Sequence, residues 1–172
     1  MHTATEASSG KPTTLGLTAA DAVWIATAML HDRYPGVSGF SPADIQNEVL
    51  RNTLTGTKAE TVYQHIVQHV TATQPANPNR RRMLTELHDG SRRLFLNGDA
   101  FHPSRNGAQS LPKLQDLPPH LRGWLNWYEE WSRSHPEKKA VAPNIDLLEA
   151  LAGTWTFGDA DIYVKRQREG WK

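Results

Sequence analysis

Neutral hydrogen-bonding side chains recur on one side of a helical pattern in residues 57–71. They are Thr61, Gln64 and Gln68, flanked by Lys58 and His65. Such groups can bond to the edges of nucleic-acid bases, whereas a carboxylate would be repelled by the phosphates. The pattern therefore predicts a face that meets double-stranded DNA, although an ordinary solvated helix face explains the same residue types.

Arginines surround a second pattern, a short β-hairpin over residues 80–96. Asp89-Gly90 predicts a type I′ turn between two strand-forming runs. Cationic side chains on such a ribbon can contact a phosphate backbone or enter a minor groove. A solubilising charge run is the alternative explanation. The arginines concerned are Arg80, Arg81, Arg82, Arg92 and Arg93.

Catalytic and metal-binding patterns are not recognisable. His65 and His69 are four residues apart on the predicted helix, but no third ligand accompanies them and the chain has no cysteine. There is no glycine-rich phosphate loop and no nucleophile elbow. We therefore expect no enzyme activity, no metal and no cofactor.

Composition sets the broad class of protein. The 172 residues carry a net charge of only +1, but residues 51–105 hold eight Lys or Arg and four Asp or Glu. The absence of cysteine favours a reducing, cytoplasmic location. No apolar run is long enough to cross a membrane, and the polar residues 1–14 predict a disordered N-terminus.

Three helices should precede the hairpin. Thr18 is a predicted N-cap, and the first helix should end at Tyr34-Pro35-Gly36 with Ala22, Val23, Ala26, Met29 and Leu30 on its apolar face. Ser41-Pro42-Ala43-Asp44 opens the second helix, which should bury Ile45, Val49 and Leu50. Thr57 and Glu60 predict a capping box before the third helix, buried through Ala59, Val62, Ile66 and Val70.

This order predicts a fold that is mainly α with a small β-hairpin (α+β), namely a winged helix-turn-helix over residues 15–102. The segment from about Leu17 to His102 resembles the winged-helix modules that accompany bacterial restriction and DNA-processing enzymes. The resemblance lies in Thr61-Val62-Tyr63, Asn77-Pro78-Asn79-Arg80, Arg92-Arg93-Leu94-Phe95 and Phe101-His102-Pro103. It implies DNA binding but names no site or target. From the residues themselves we expect 57–71 to lie in the major groove and 80–96 to act as the wing, in a regulatory, restriction or toxin–antitoxin context that includes transcription regulation. A protein-interaction adaptor without DNA binding is the alternative.

The rest of the chain should form a linker, 103–118, a Trp-rich helix, 119–135, and a tail, 136–172. Trp124, Trp127 and Trp131 could dock on the winged helix or form a homodimer interface. The tail is similar to the C-terminal tails of some bacterial antitoxins, which implies a protein partner held by anchors such as Trp155 and Tyr163. Packing of the tail on its own domain is the alternative.

Overall fold

The computed structural model describes residues 15–76 and 81–135. They form an α+β unit, mainly helical with one small antiparallel sheet, as predicted. The expected disorder of residues 1–14, the role of Arg80 and the tail 136–172 with Trp155 and Tyr163 lie outside the described residues. The helices and strands are α1 (Ala19–Arg33), α2 (Pro42–Arg51), α3 (Ala59–Gln64), β1 (Leu84–Glu86), β2 (Arg92–Leu94) and α4 (Gly123–Ser134).

Helix α1 is the centre of the unit. Its predicted cap is confirmed, because the Thr18 hydroxyl accepts a hydrogen bond from the Asp21 backbone N–H at 3.2 Å. We expected one apolar face, but Ala22, Val23, Trp24 and Ile25 are all completely buried although they point in different directions. The reason is that α2, α3, β2 and α4 all contact α1.

Helix α2 starts with the predicted signal. Ser41 and Asp44 bond to each other's backbone N–H groups in a capping box, and Pro42 is the first helical residue. Ile45 and Val49 are buried as expected, but Leu50 is 44% exposed. The core-facing position beside Val49 is taken instead by Glu48, whose carboxylate is bound by Arg33, Arg51 and Asn52.

The third helix differs from its prediction at both ends. It begins at Ala59 after an N-cap at Lys58, and no side chain within the described residues caps it. The predicted capping box of Thr57 and Glu60 is therefore wrong. The Thr57 hydroxyl lies 2.9 Å from that of Thr55 instead. After Gln64 the helix widens into a π-helical turn, His65–His69, closed by a bond from the Val70 N–H to the His65 carbonyl at 3.0 Å.

The third helix is buried largely as predicted. Val62, Ile66 and Val70 are almost completely inaccessible, while Ala59 is half-buried. The π-helical turn then leads to Thr71, which forms a parallel bridge with Leu84 of β1. The third helix is thus joined directly to the sheet.

The predicted hairpin is present, with Leu84 opposite Leu94 and Glu86 opposite Arg92. Its turn is not type I′, because Asp89 does not have the positive φ that this turn requires, whereas Gly90 has φ +80°. The Gly90 N–H bonds to the Leu87 carbonyl, and the Leu87 N–H to the Ser91 carbonyl. These bonds describe a three-residue loop with glycine in the left-handed position.

A third stretch of chain joins the sheet edge. Phe40, between α1 and α2, exchanges both backbone hydrogen bonds with Arg92, at 2.8 and 2.7 Å. The order is therefore α1, the Phe40 bridge, α2, α3 and the hairpin. Gly39 allows this contact, because a Cβ there would come within 2.9 Å of Leu87 Cδ1 and 2.7 Å of Ser91 Oγ.

The predicted linker 103–118 is not a spacer. It contains short 3₁₀ turns at Pro103–Arg105 and Leu114–Asp116, and both Arg105 and Leu117 are buried. The Trp-rich helix is confirmed as α4, preceded by a 3₁₀ turn at Pro119–Leu121. No helix in residues 15–76 and 81–135 is long and apolar enough to span a membrane.

Candidate recognition surface

The predicted recognition helix presents an exposed outer face. We define this face as Lys58, Glu60, Thr61, Tyr63, Gln64 and Gln68, all of which are exposed. Val62 and Ile66 point the other way into the core. The predicted division between a buried and a polar side of this helix is therefore present in the structure.

Glu60 changes the chemistry of the outer face. We expected its carboxylate to turn back and cap the helix, but the helix starts at Ala59 and this bond is not made. Glu60 is instead exposed one turn before Gln64, on the same side of the helix. An acid therefore stands beside the neutral side chains, and it would repel a phosphate backbone.

His65 is withdrawn from the outer face. It is half-buried, and burial together with nearby His69 and Arg81 lowers its pKa, which favours the neutral form of the ring. Its ring contacts that of His69 at a centroid distance of 4.9 Å. No cluster of three or more potential metal ligands occurs in the described part of the chain.

Two hairpin arginines are bound by carboxylates of the same hairpin region. Arg92, only 6% exposed, pairs with Glu86 across the strands at 3.1 Å. Arg93 pairs with Asp99 at 2.5 Å, and the same carboxylate accepts hydrogen bonds from Thr85 and the Leu96 N–H. The positive charge of β2 is thus neutralised inside the protein.

Arg81 and Arg82, which precede β1, are also engaged internally. Arg81 bonds to Asp21 of α1 at 2.6 Å, where the carboxylate is 1% exposed. The Arg82 guanidinium lies over the rings of Phe95 and Phe101, at 5.2 and 4.5 Å from their centroids. Both contacts fix the approach to the hairpin.

The tip of the hairpin, residues 87–91, carries no Lys or Arg that could contact a phosphate in place of these arginines. It carries exposed His88 and Asp89, and hydrogen bonds from the Ser91 side chain and backbone lower the pKa of Asp89. Over residues 15–76 and 81–135 there are eleven Lys or Arg and eleven Asp or Glu. The described unit therefore has no excess of positive charge to attract a polyanion.

Arg105 is a structural residue that sequence reasoning missed. Its side chain is completely buried, burial lowers its pKa, and it donates hydrogen bonds to five backbone carbonyls. The acceptors are those of Gln68, His69, Gln74, Pro75 and Arg81. It thereby ties the end of the π-helical turn to the entrance of the hairpin. A single arginine in a polar segment gave no signal of this role.

The tryptophans of α4 divide into two groups. Trp131 is buried against His31 at a centroid distance of 4.9 Å, and Tyr128 packs on Trp24 at 5.6 Å. The structure therefore shows docking of α4 on the rest of the unit, which leaves little of Trp131 for a partner. Trp124 and Trp127 remain half-exposed.

Searches of protein-family models, curated proteins and solved structures found no match to this chain. The resemblances to restriction-associated winged helices and to antitoxin tails therefore stay predictions.

Proposed function

We propose that this protein is a winged helix that binds another protein rather than duplex DNA. The fold assignment is supported by the order of α1, the Phe40 bridge, α2, α3 and the hairpin, with Phe40 bridged to Arg92 at the edge of the sheet. In such a fold, α3 and the hairpin lie at the recognition side.

The observation that carries this proposal is the internal use of the hairpin arginines. Winged helices that bind DNA need cations free to contact phosphates. Here Arg81, Arg92 and Arg93 each bind a carboxylate of the same chain, and the Arg82 guanidinium lies over the rings of two phenylalanines. Releasing them would leave buried acids such as Asp21 uncompensated.

The outer face of α3 suits a protein surface. It combines both charge signs, from Lys58 and Glu60, with two amides and the 40%-exposed ring of Tyr63. Tyrosine adds contact area with little loss of side-chain entropy, and mixed charges favour a partner of complementary pattern. A protein partner can offer the Glu60 carboxylate a cation or a hydrogen-bond donor, whereas a phosphate backbone would repel it.

Duplex binding is the second candidate, because Thr61, Gln64 and Gln68 are exposed, neutral and able to bond to base edges. In that case Lys58 would meet a phosphate at the start of α3, and a regulatory or restriction-associated role would follow. This candidate needs affinity that the paired hairpin arginines do not supply.

Site-specific photo-crosslinking distinguishes the two candidates. A benzophenone amino acid replaces Gln64 in the full-length chain, and the matched control carries it at Gln115, an exposed glutamine of the 3₁₀ turn Leu114–Asp116. After irradiation in cells, we expect a discrete polypeptide adduct from position 64 that resists nuclease and is not formed from position 115. An adduct removed by nuclease would contradict the proposal, as would identical adducts from both positions.

A further inference from the structure

An aromatic cleft lies where the end of α1 meets the start of α4. It has a volume of about 250 Å³, is open to solvent, and is lined by Asp32, His120, Gly123, Trp124 and Trp127. Neither the outer face of α3 nor the hairpin contributes to it. The cleft is therefore a different part of the surface from the outer face of α3.

The two indole rings of the cleft are held in place before any ligand arrives. The Trp127 Nε1–H donates to Asp32 Oδ1 at 2.9 Å, and the same ring stacks on buried Trp131 at 5.8 Å with 17° between the planes. Trp124 stands edge-on to Trp127, at 5.5 Å and 70°. Two nearly perpendicular ring faces with fixed positions cost little entropy on binding.

Asp32 adds a negative charge to this aromatic corner. It is exposed, and within residues 15–76 and 81–135 it forms no ion pair, unlike Asp21 and Asp99, which bind arginines. One carboxylate oxygen is oriented by Trp127, so the carboxylate retains acceptor capacity toward the cleft.

We propose that this cleft binds a cationic side chain, lysine or arginine, presented by a protein partner. The ring faces attract the cation through their quadrupoles, and the Asp32 carboxylate attracts it through charge and hydrogen bonding. A phosphate-bearing ligand would meet Asp32 as a like charge. A purely apolar ligand would leave the carboxylate partly desolvated without compensation.

The test uses the full chain with ¹⁵N-labelled tryptophan and follows the indole N–H signals by NMR. The probes are Nα-acetyl-lysine methylamide, Nα-acetyl-arginine methylamide and the uncharged Nα-acetyl-norleucine methylamide. Trp124→Phe and Trp127→Phe assign the two relevant signals. We expect saturable shifts of these signals, weak in affinity, with a cationic probe and much smaller shifts with norleucine.

Asp32→Asn isolates the charge, because the amide oxygen can still accept the Trp127 hydrogen bond. This variant should weaken binding of the cationic probe at least about fivefold. Asp116→Asn, an exposed acid outside the cleft, should leave it unchanged. Equal binding of norleucine and lysine to the unaltered protein would overturn the proposal. So would no response to either cation, or an Asp32→Asn variant that binds as well as the parent.

Discussion

Arg81 donates a hydrogen bond to Asp21 Oδ1 at 2.6 Å, across sixty residues of sequence. The carboxylate is 1% exposed and also accepts a 2.6 Å bond from the Thr18 hydroxyl. This pair joins the start of α1 to the entrance of the hairpin. Arg81, whose position in the sequence suggested contact with phosphate, instead forms an ion pair with a buried carboxylate of the same protein.

Replacing Arg81 should therefore cost stability. Arg81→Ala leaves the buried Asp21 carboxylate without its cation, so we expect a loss of about 3–5 kcal/mol in the free energy of unfolding. Urea denaturation measures it, with Arg122→Ala as the control because Arg122 is exposed. Adding Asp21→Asn to Arg81→Ala should recover part of the loss. A change below about 1 kcal/mol would show that Arg81 is free.

Arg105 should tolerate neither truncation nor a change of shape. Lysine keeps the charge but cannot reach five carbonyls arranged around a planar guanidinium, so Arg105→Lys should destabilise the protein by at least about 3 kcal/mol. Thermal unfolding measures the effect. Arg122→Lys is the matched control, since within residues 15–76 and 81–135 the Arg122 side chain makes one hydrogen bond, to the Leu117 carbonyl at 3.1 Å. Equal stability of both variants would refute the role given to Arg105.

His31 should make folding pH-dependent. Burial, aided by nearby His135 and Arg93, lowers its pKa from 6.5 to about 4, so the folded protein holds it neutral. As pH falls below 6.5 the unfolded chain takes up a proton that the folded chain does not. The contribution of His31 to the free energy of unfolding is therefore fully present above pH 6.5. It is lost progressively, by on the order of 3 kcal/mol, as the pH falls to about 4.

The variant His31→Phe tests this dependence, because it retains a ring between Phe40 and Trp131. Urea unfolding from about pH 7 to about pH 4 should show a shallower decline for His31→Phe than for the parent. His88→Gln, in the exposed hairpin turn, should keep the parental decline. Parallel curves for parent and His31→Phe would exclude His31 as a source of the pH dependence.

Gly39 should be required for the contact between Phe40 and the hairpin. A Cβ at this position would lie 3.1 Å from the Arg92 carbonyl oxygen as well as close to two side chains, so Gly39→Ala should cost about 1–3 kcal/mol. Gly36→Ala is the control, because a Cβ there meets nothing within 4 Å. Chemical denaturation compares the two variants, and equal stability of Gly39→Ala and Gly36→Ala would show that the contact does not require glycine.

Local signals in the sequence predicted much of the fold. The caps at Thr18 and Ser41 act within four residues, and the apolar spacing of Val62, Ile66 and Val70 depends on one helix, so these features could be read directly. The presence of the hairpin followed from Asp89-Gly90. Its turn type did not, because a three-residue loop also places glycine in the left-handed region.

The chemistry of the candidate site is decided by contacts between residues that are far apart in the sequence. The spacing of residue types along the chain does not reveal such contacts. Pairing of Arg81 with Asp21 is decided by how the hairpin meets α1. The exposure of Glu60 results from a helix start two residues after the predicted cap at Thr57. Arg105 lay in a segment with no periodic pattern, and its acceptors are backbone carbonyls, which every residue possesses.

The most direct measurement is a fluorescence-anisotropy titration of a labelled random duplex with the full-length protein, at low and at physiological salt. Because Arg81, Arg92 and Arg93 are bound to Asp21, Glu86 and Asp99, we expect no duplex binding at either salt concentration, for the parent or for Gln64→Ala. Tight binding at low salt that falls steeply as salt rises, and that is weakened by Arg93→Ala in a folded variant, would contradict this account.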